Sequence, residues 1–349
     1  MSHLVIRRYL GLFLFTVAFP KESRPSPLAN RIGQRYAQDQ TPAIPLFYFS
    51  DGKQAENMIV RSSGEILVTI DTAPELYQID PFANQTGGIV HSFPNYTSLF
   101  GIVELINDVF YIIASNFTGP PNYYGFEGTA SILELDLREA PDPLVFQTGL
   151  KVTKIVDVPE AQLLDGLAII SQSKGLLMSG DAQTGTLYLI NVLNHTTTAV
   201  LQDELLSGIN QEATAGLAHI GVNGLKYHNG ILYWSNTARG IYGQVPINSD
   251  TGHATAKPSV LANYATDIDD LSFDASGDQF ISEDERGILL RPAGTSAAKN
   301  RTRLLTSLPG ADANAFGRTL RDKCVLYAVF AGEPSGVASI DLGKQGFCG

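Results

Sequence analysis

The sequence is poor in the motifs that announce common chemistries. It has no Gly-x-Ser-x-Gly elbow, no His-Glu-x-x-His pair, no Gly-x-Gly-x-x-Gly loop and no Cys-x-x-Cys. Serine-hydrolase, zincin, dinucleotide and dithiol chemistry therefore lack their usual scaffolds. Basic residues are scarce. Twenty-four Lys and Arg stand against 35 Asp and Glu, a formal net charge of -11, and no Lys/Arg run follows the first few dozen residues. Such a surface repels phosphate backbones, which argues against nucleic acid as a partner. Charged residues make up only 17% of the chain and hydrophobic ones 44%, which argues against disorder. No convincing long amphipathic helix is present. Cysteine is reduced to two residues, Cys324 and Cys348, both near the C-terminus.

The longest apolar stretch is short and sits at the start. Arg7 and Arg8 precede the largely apolar run Tyr9 to Phe19, which is too brief to span a bilayer comfortably. It reads as a secretory signal peptide over residues 1–19, with an uncleaved anchor or a buried strand as the alternative. Residues 20–42, rich in Arg, Ser, Pro and Gln, read as an irregular leader, and the fold is expected over 43–349. No membrane span is expected in the mature protein. Five sequons follow, at Asn84, Asn95, Asn116, Asn194 and Asn300, mostly beside turn residues. In an oxidising compartment Cys324 and Cys348 close a loop and pin the last segment; otherwise they are two buried thiols. These features together point to a secreted or secretory-lumen glycoprotein, either a monomer or a weak homo-oligomer.

What fills the rest is a repeat. Short alternating apolar runs are separated by Gly, Asn and Asp turns, which is all-β punctuation. Four stretches share one grammar: Glu56 to Thr69, Asp165 to Asp181, Asn223 to Asn236 and Asp269 to Ser282. A polar pair opens a strand, a tight turn follows, a second strand rises, and a third comes after a Gly-containing turn. Two weaker copies begin at Gly101 and Ala315. Units of roughly 45 to 65 residues are in the range of propeller blades. The expectation is a six-bladed β-propeller. Lys151 to Val156, Thr255 to Leu261 and Thr302 to Leu308 supply outer strands. An N-terminal strand, Ile44 to Phe49, closes the last blade and removes the exposed edge.

In a propeller the first strand of each blade lines the central channel. The openings Glu56-Asn57, Asp165-Gly166, Asn223-Gly224 and Asp269-Asp270 therefore converge. The two glycines suit close backbone approach near a crowded axis. Converging carboxylates must be compensated by a hard cation such as Ca²⁺ or by protons and water; alternatively, these residues form turns at the blade starts. His219, four residues before Asn223, is a candidate catalytic group at the channel mouth or else a loop histidine. Trp234 and Asn236 are candidate ligand contacts on a second strand, with blade packing as the alternative for Trp234. The loop from Phe117 to Phe126, with Tyr124 and Phe126, reads as a lid over an apolar ligand or an ordered surface loop.

The stretches AENMIVRSSGEILVT, VNGLKYHNGILYWSN, DIDDLSFDASG and NAFGR resemble the fungal secreted branch of the SMP-30/gluconolactonase/LRE-like propellers. The resemblance covers most of the chain after about residue 43. For the lactonases of that superfamily it implies an axial divalent metal, with Glu56, Asn223 and Asp269 at the ligand positions. Asp165 stands where the family usually has Asn. The branch is also similar to hetero-Diels–Alderases that join a quinone-methide-like polyketide, such as a tropolone, to a terpene alkene.

Three functions follow, each with a small organic molecule or a protein as partner. The first is a pocket catalyst of cyclisation or cycloaddition in secondary metabolism, with no cofactor required, using Asp165, Asp269 and His219 as its catalytic groups. The second is a lactonase or ester hydrolase that depends on Ca²⁺ or another divalent cation. The third is a non-catalytic binding propeller, because Tyr233-Trp234-Ser235-Asn236 is similar to the Tyr-Trp-Thr-Asp blades of receptors. Retention of activity in EDTA separates the first two, and a closed pocket instead of an exposed patch argues against the third.

Overall fold

In the computed structural model the described residues are 40–349 apart from 141, 143, 145–149, 210–215 and 297–300. The signal-peptide segment, most of the leader and Asn300 lie outside them. The described chain forms six four-stranded antiparallel sheets and one small two-stranded hairpin. This is the expected six-bladed propeller. The inner strands, blade 1 to blade 6, are Ala55–Val60, Ser98–Ile106, Leu164–Ser171, Val222–His228, Ile268–Phe273 and Ala311–Phe316. Each packs beside the next, and the sixth packs beside the first.

The composition of each strand follows its place in the blade. Second strands lie between neighbouring sheets and are buried on both faces, as Ile66–Ile70 and Leu176–Asp181 are throughout. Outermost strands face water, and Lys151–Asp157 opens with four exposed residues. Six apolar clusters glue the ring, one at each blade interface. Blades 3 and 4, for example, meet through Met178, Leu187, Val222 and Trp234. The hydrophobic effect thus acts between blades, not at a single centre, and leaves the axis open to polar residues.

The strand Ile44–Tyr48 pairs antiparallel with Gly336–Asp341, Ile44 opposite Ser339, and completes blade 6. The Cys324–Cys348 disulfide ties the C-terminus to the same blade, where the Gly349 amide also donates to the Lys323 carbonyl at 2.8 Å. Two expected boundaries shift. The outer strand of blade 4 is Ser259–Asn263, starting later than expected, because Pro258 cannot donate a ladder hydrogen bond. The inner strand of blade 6 begins at Ala311, four residues before the expected Ala315, because the Gly317–Lys323 turn is longer than in the other blades.

One irregularity repeats in every blade. The pairing of inner and second strands slips by one residue at a fixed place: between Ala55 and Met58, Leu99 and Ile102, Leu164 and Leu167, Val222 and Leu225, Ile268 and Leu271, and Ala311 and Asn314. Each slip is a β-bulge holding two residues against one, a device that re-aims side chains. The bulge pairs are Glu56-Asn57, Phe100-Gly101, Asp165-Gly166, Asn223-Gly224, Asp269-Asp270 and Asp312-Ala313. The second member is small in four of six blades for a steric reason. A Cβ on Gly166 would sit 2.2 Å from the Asn223 carbonyl oxygen, and one on Gly224 2.5 Å from the Asp270 Cα.

Candidate active site

The first members of the six bulge pairs all line one cavity on the axis: Glu56, Phe100, Asp165, Asn223, Asp269 and Asp312. A second tier comes from positions just after the second strands, where Asp71, Thr237 and Asp284 also face the cavity. The upper wall is apolar: Phe117, Pro120, Tyr123, Leu163, Leu217 and Ile220. Asp267 stands beside it, and no Lys or Arg is among the lining residues described. The cavity volume is about 120 Å³. This is below the ~300 Å³ at which drug-sized pockets start, so one end of an organic molecule enters and the rest lies against the apolar mouth.

Crowding acids together in this way changes their protonation. Burial first, then the neighbouring Asp165, pushes the Asp71 carboxyl up to about 7. Burial pushes Asp165 up to about 7 as well, with Asp270 adding to the shift and a hydrogen bond from Glu56 opposing it. Glu56, Asp269 and Asp312 are half-buried by exposed area because they face the cavity. Their carboxyls are nevertheless held well above the ordinary range, by burial and then by one another. The acids relieve their repulsion in pairs. Glu56 and Asp165 interact as one pair, and Asp269 and Asp312 as another, each member shifting its partner's carboxyl. Asp269 also accepts from the Asn223 amide at 2.7 Å. The crowding therefore favours the protonated forms of these carboxyls, which donate hydrogen bonds as well as accept them.

The resemblance seen in the sequence implies a divalent cation at Glu56, Asn223 and Asp269. These side chains are hard oxygen donors of the kind Ca²⁺ takes, and Asp165 leaves a buried Oδ1 without a hydrogen-bond partner. By donor chemistry they suit such an ion, which Glu56, Asp269 and the Asn223 Oδ1 would hold. The Asn223 Nδ2 donates to Asp269 (2.7 Å) and Thr237 Oγ1 (3.1 Å), which leaves its Oδ1 as the ligating atom.

The structure brings together Glu56, Asp165, Asn223 and Asp269 from the expected set. The remaining residues lie elsewhere. Asn57 turns away from the cavity, its Nδ2 3.3 Å from Asp270, which in turn accepts from Lys226 at 2.8 and 2.5 Å. Trp234 is fully buried in the interface of blades 3 and 4. Asn236 donates to the Leu205 and Ser207 carbonyls at 3.0 and 2.9 Å and braces the loop after blade 3. Tyr124 and Phe126 point outward, 37% and 45% exposed. His219 is buried behind the wall, where its Nε2 hydrogen-bonds the Tyr123 carbonyl. The sequons at Asn84, Asn95 and Asn194 are exposed and Asn116 is half-buried.

Sequence reasoning missed Asp312, Phe100, Asp71 and Tyr123. Asp312 was hidden by the four-residue shift in blade 6. Phe100 breaks the polar-pair rule in blade 2, so that copy looked as though it began at Gly101. Asp71 follows its second strand as Asp284 and Thr237 follow theirs, a second periodicity that was there to be read.

Fold and site together define a six-bladed propeller with an acid-floored axial pocket. No protein-family model matches the chain. A protein of Phoma sp named "Putative hetero-Diels-Alderase" is 25% identical over 345 residues, covering 90% of this chain and 92% of that protein. Another of Sarocladium schorii, named "Putative hetero-Diels-Alderase asR5", is 22% identical over 330 residues, covering 83% of this chain and 78% of that protein. A solved "putative gluconolactonase" shares the fold with a TM-score of 0.58 at 13% identity, over 86% of this chain and 92% of its own.

Proposed function

We propose that this chain is a pocket catalyst of cyclisation, and specifically of hetero-Diels–Alder cycloaddition between an oxygen-bearing heterodiene and an alkene in secondary-metabolite assembly. The observation that carries this reading is the juxtaposition of converging carboxyls on the axis with an apolar wall above them. An α,β-unsaturated carbonyl or quinone methide places its oxygen on the acid floor. A carboxyl O–H from the Glu56/Asp165 or Asp269/Asp312 pair donates a hydrogen bond to it and draws electron density from the heterodiene. The alkene, held against Phe117, Tyr123, Leu217 and Ile220, then adds across the heterodiene. One C–O and one C–C bond form, three π bonds become one, and no atom or proton leaves. Such a reaction needs no nucleophile. Orientation of the two partners and preorganised donors supply the barrier reduction. The two relatives named as hetero-Diels-Alderases support the same reading at modest identity.

The test is product formation with a tropolone-type quinone-methide precursor and a terpene alkene in EDTA, followed by chiral chromatography. The expected result is a single enantiomer formed faster than in buffer. A racemic product at the buffer rate, together with Ca²⁺-dependent opening of aldonolactones, would replace this reading with the lactonase one.

A further inference from the structure

We propose that Tyr123 is the specificity-determining residue of the axial pocket, its phenol hydroxyl fixing the polar end of the substrate from above, and that His219 is the positioning residue that holds it there. This rests on the reading of the pocket as a site for a carbonyl-bearing organic substrate.

The backbone of Tyr123 is the first observation. Its φ is 50°, in the left-handed region that bulky side chains rarely adopt. Such residues persist only where surroundings enforce them, and they cluster at functional sites. Here the enforcement is visible. The Tyr123 amide donates to the Gly119 carbonyl at 3.3 Å, and the Tyr123 carbonyl accepts from His219 Nε2. A carbonyl only accepts, so the His219 proton sits on Nε2. The other ring nitrogen, Nδ1, is buried and has no hydrogen-bond partner, so the Tyr123 contact is this ring's one hydrogen bond among the described residues, beside an edge contact with the Tyr124 ring at 6.3 Å. A second tie, from the Gly216 amide to the Pro121 carbonyl at 2.8 Å, fixes the same two loops together.

The side chain is the second observation. Of the three tyrosine and phenylalanine residues at the tip of the loop, Tyr124 and Phe126 face outward and Tyr123 alone lines the cavity. Its ring tilts against Phe117 at 6.4 Å. Its hydroxyl makes no hydrogen bond among the described residues, although it lies within the field of Asp71, Asp284, Asp312 and Asp267. Burial and these acids keep the phenol protonated. A phenol donor without a protein partner, held by a strained backbone over a cavity floored with acids, has a substrate oxygen as its natural acceptor.

The test uses trans-cinnamaldehyde, whose enal is a simple heterodiene. Its affinity is measured by calorimetry, and the red shift of its enal absorption reports hydrogen bonding to the carbonyl. The proteins are wild type, Tyr123→Phe, His219→Leu, His219→Gln, the Tyr123→Phe/His219→Leu double variant and Asp165→Leu, each checked for folding by circular dichroism. Tyr123→Phe is expected to weaken binding roughly fivefold to tenfold, as loss of one hydrogen bond implies, and to reduce the red shift. His219→Leu should do the same, and His219→Gln, whose amide also donates, should restore both. The double variant should be no worse than either single one. If Tyr123→Phe binds with the wild-type affinity and red shift while Asp165→Leu does not, the inference fails and the pocket reading stands. An effect of His219→Leu without one of Tyr123→Phe also overturns it. If wild type does not bind the enal, or binds it regardless of both residues, the pocket reading fails and takes this inference with it.

Discussion

In the proposed cycloaddition Asp165 is the side chain given the central donor role. It is buried on the axis, its Oδ1 is unpartnered, and burial lifts its carboxyl to about 7. As the neutral donor of that proposed reaction, it would lose the role on ionising. Cycloaddition activity is therefore expected to fall as pH rises through about 7, the value shared by Asp165 and Asp71. Asp165→Leu should lower kcat/KM by about a hundredfold, the usual loss for one preorganised donor. Asp165→Asn keeps an N–H donor that does not titrate, so it should lose less and flatten the pH–rate profile. Steady-state rates between pH 5 and 9 for the three proteins check all of this, and an unchanged profile in Asp165→Asn would assign the titration elsewhere.

The inner strand with its bulge is the element that makes the site. Gly166 shows how tightly it is built, since any Cβ there meets the Asn223 carbonyl oxygen at 2.2 Å. Gly166→Ala is expected to destabilise the fold by ~1–3 kcal/mol through overpacking, read as a lower urea midpoint at unchanged slope. At the C-terminal end, Cys348→Ser opens a loop of 24 residues' separation. It should cost about 3 kcal/mol, with non-reducing gel mobility confirming that the bond is gone.

Much of this element-level architecture was legible in the chain. The polar-pair and turn grammar identified four blades outright, because side chains alternate with a period of two and tight turns demand Gly, Asn or Asp. Glycine after Asp165 and Asn223 signalled close backbone approach. What was illegible depended on register. A one-residue bulge is invisible when its neighbours are apolar, so the blade 2 copy was read from Gly101 and Phe100 was left out. A long turn in blade 6 displaced the apparent repeat and concealed Asp312. The inward aim of Tyr123, against the outward aim of Tyr124 and Phe126, depends on a positive φ that composition does not encode. His219 reads in sequence as a catalytic candidate or a loop histidine, and in space it hydrogen-bonds the Tyr123 carbonyl of a loop from another blade.

For the whole molecule, the acid ring ties stability to pH. Asp71, Asp165 and their neighbours have folded-state pKa values raised above those of the unfolded chain. Their contribution is fully present below the ordinary carboxylate pKa of ~4 and is lost as pH rises through the folded value, about 7 for Asp71 and Asp165. The unfolded state binds fewer protons in that window, so stability falls with rising pH. Tm should be higher at pH 5 than at pH 8, and Asp165→Asn should narrow the difference. A Tm that rises steadily from pH 5 to pH 8 would contradict neutral acids on the axis. The closing strand Ile44–Tyr48 and the disulfide secure the ring mechanically, so this titration strains a closed structure instead of an open edge.

The central claim is that protonated carboxyls on the propeller axis catalyse a metal-independent cycloaddition. Its most direct test is the rate of enantioenriched adduct formation from a quinone-methide precursor and a terpene alkene, measured in EDTA across pH 5 to 9. The expected result is full activity at low pH, a decline through about 7, and no rescue by Ca²⁺ at high pH. An activity absent in EDTA, restored by Ca²⁺ and increasing with pH would contradict it.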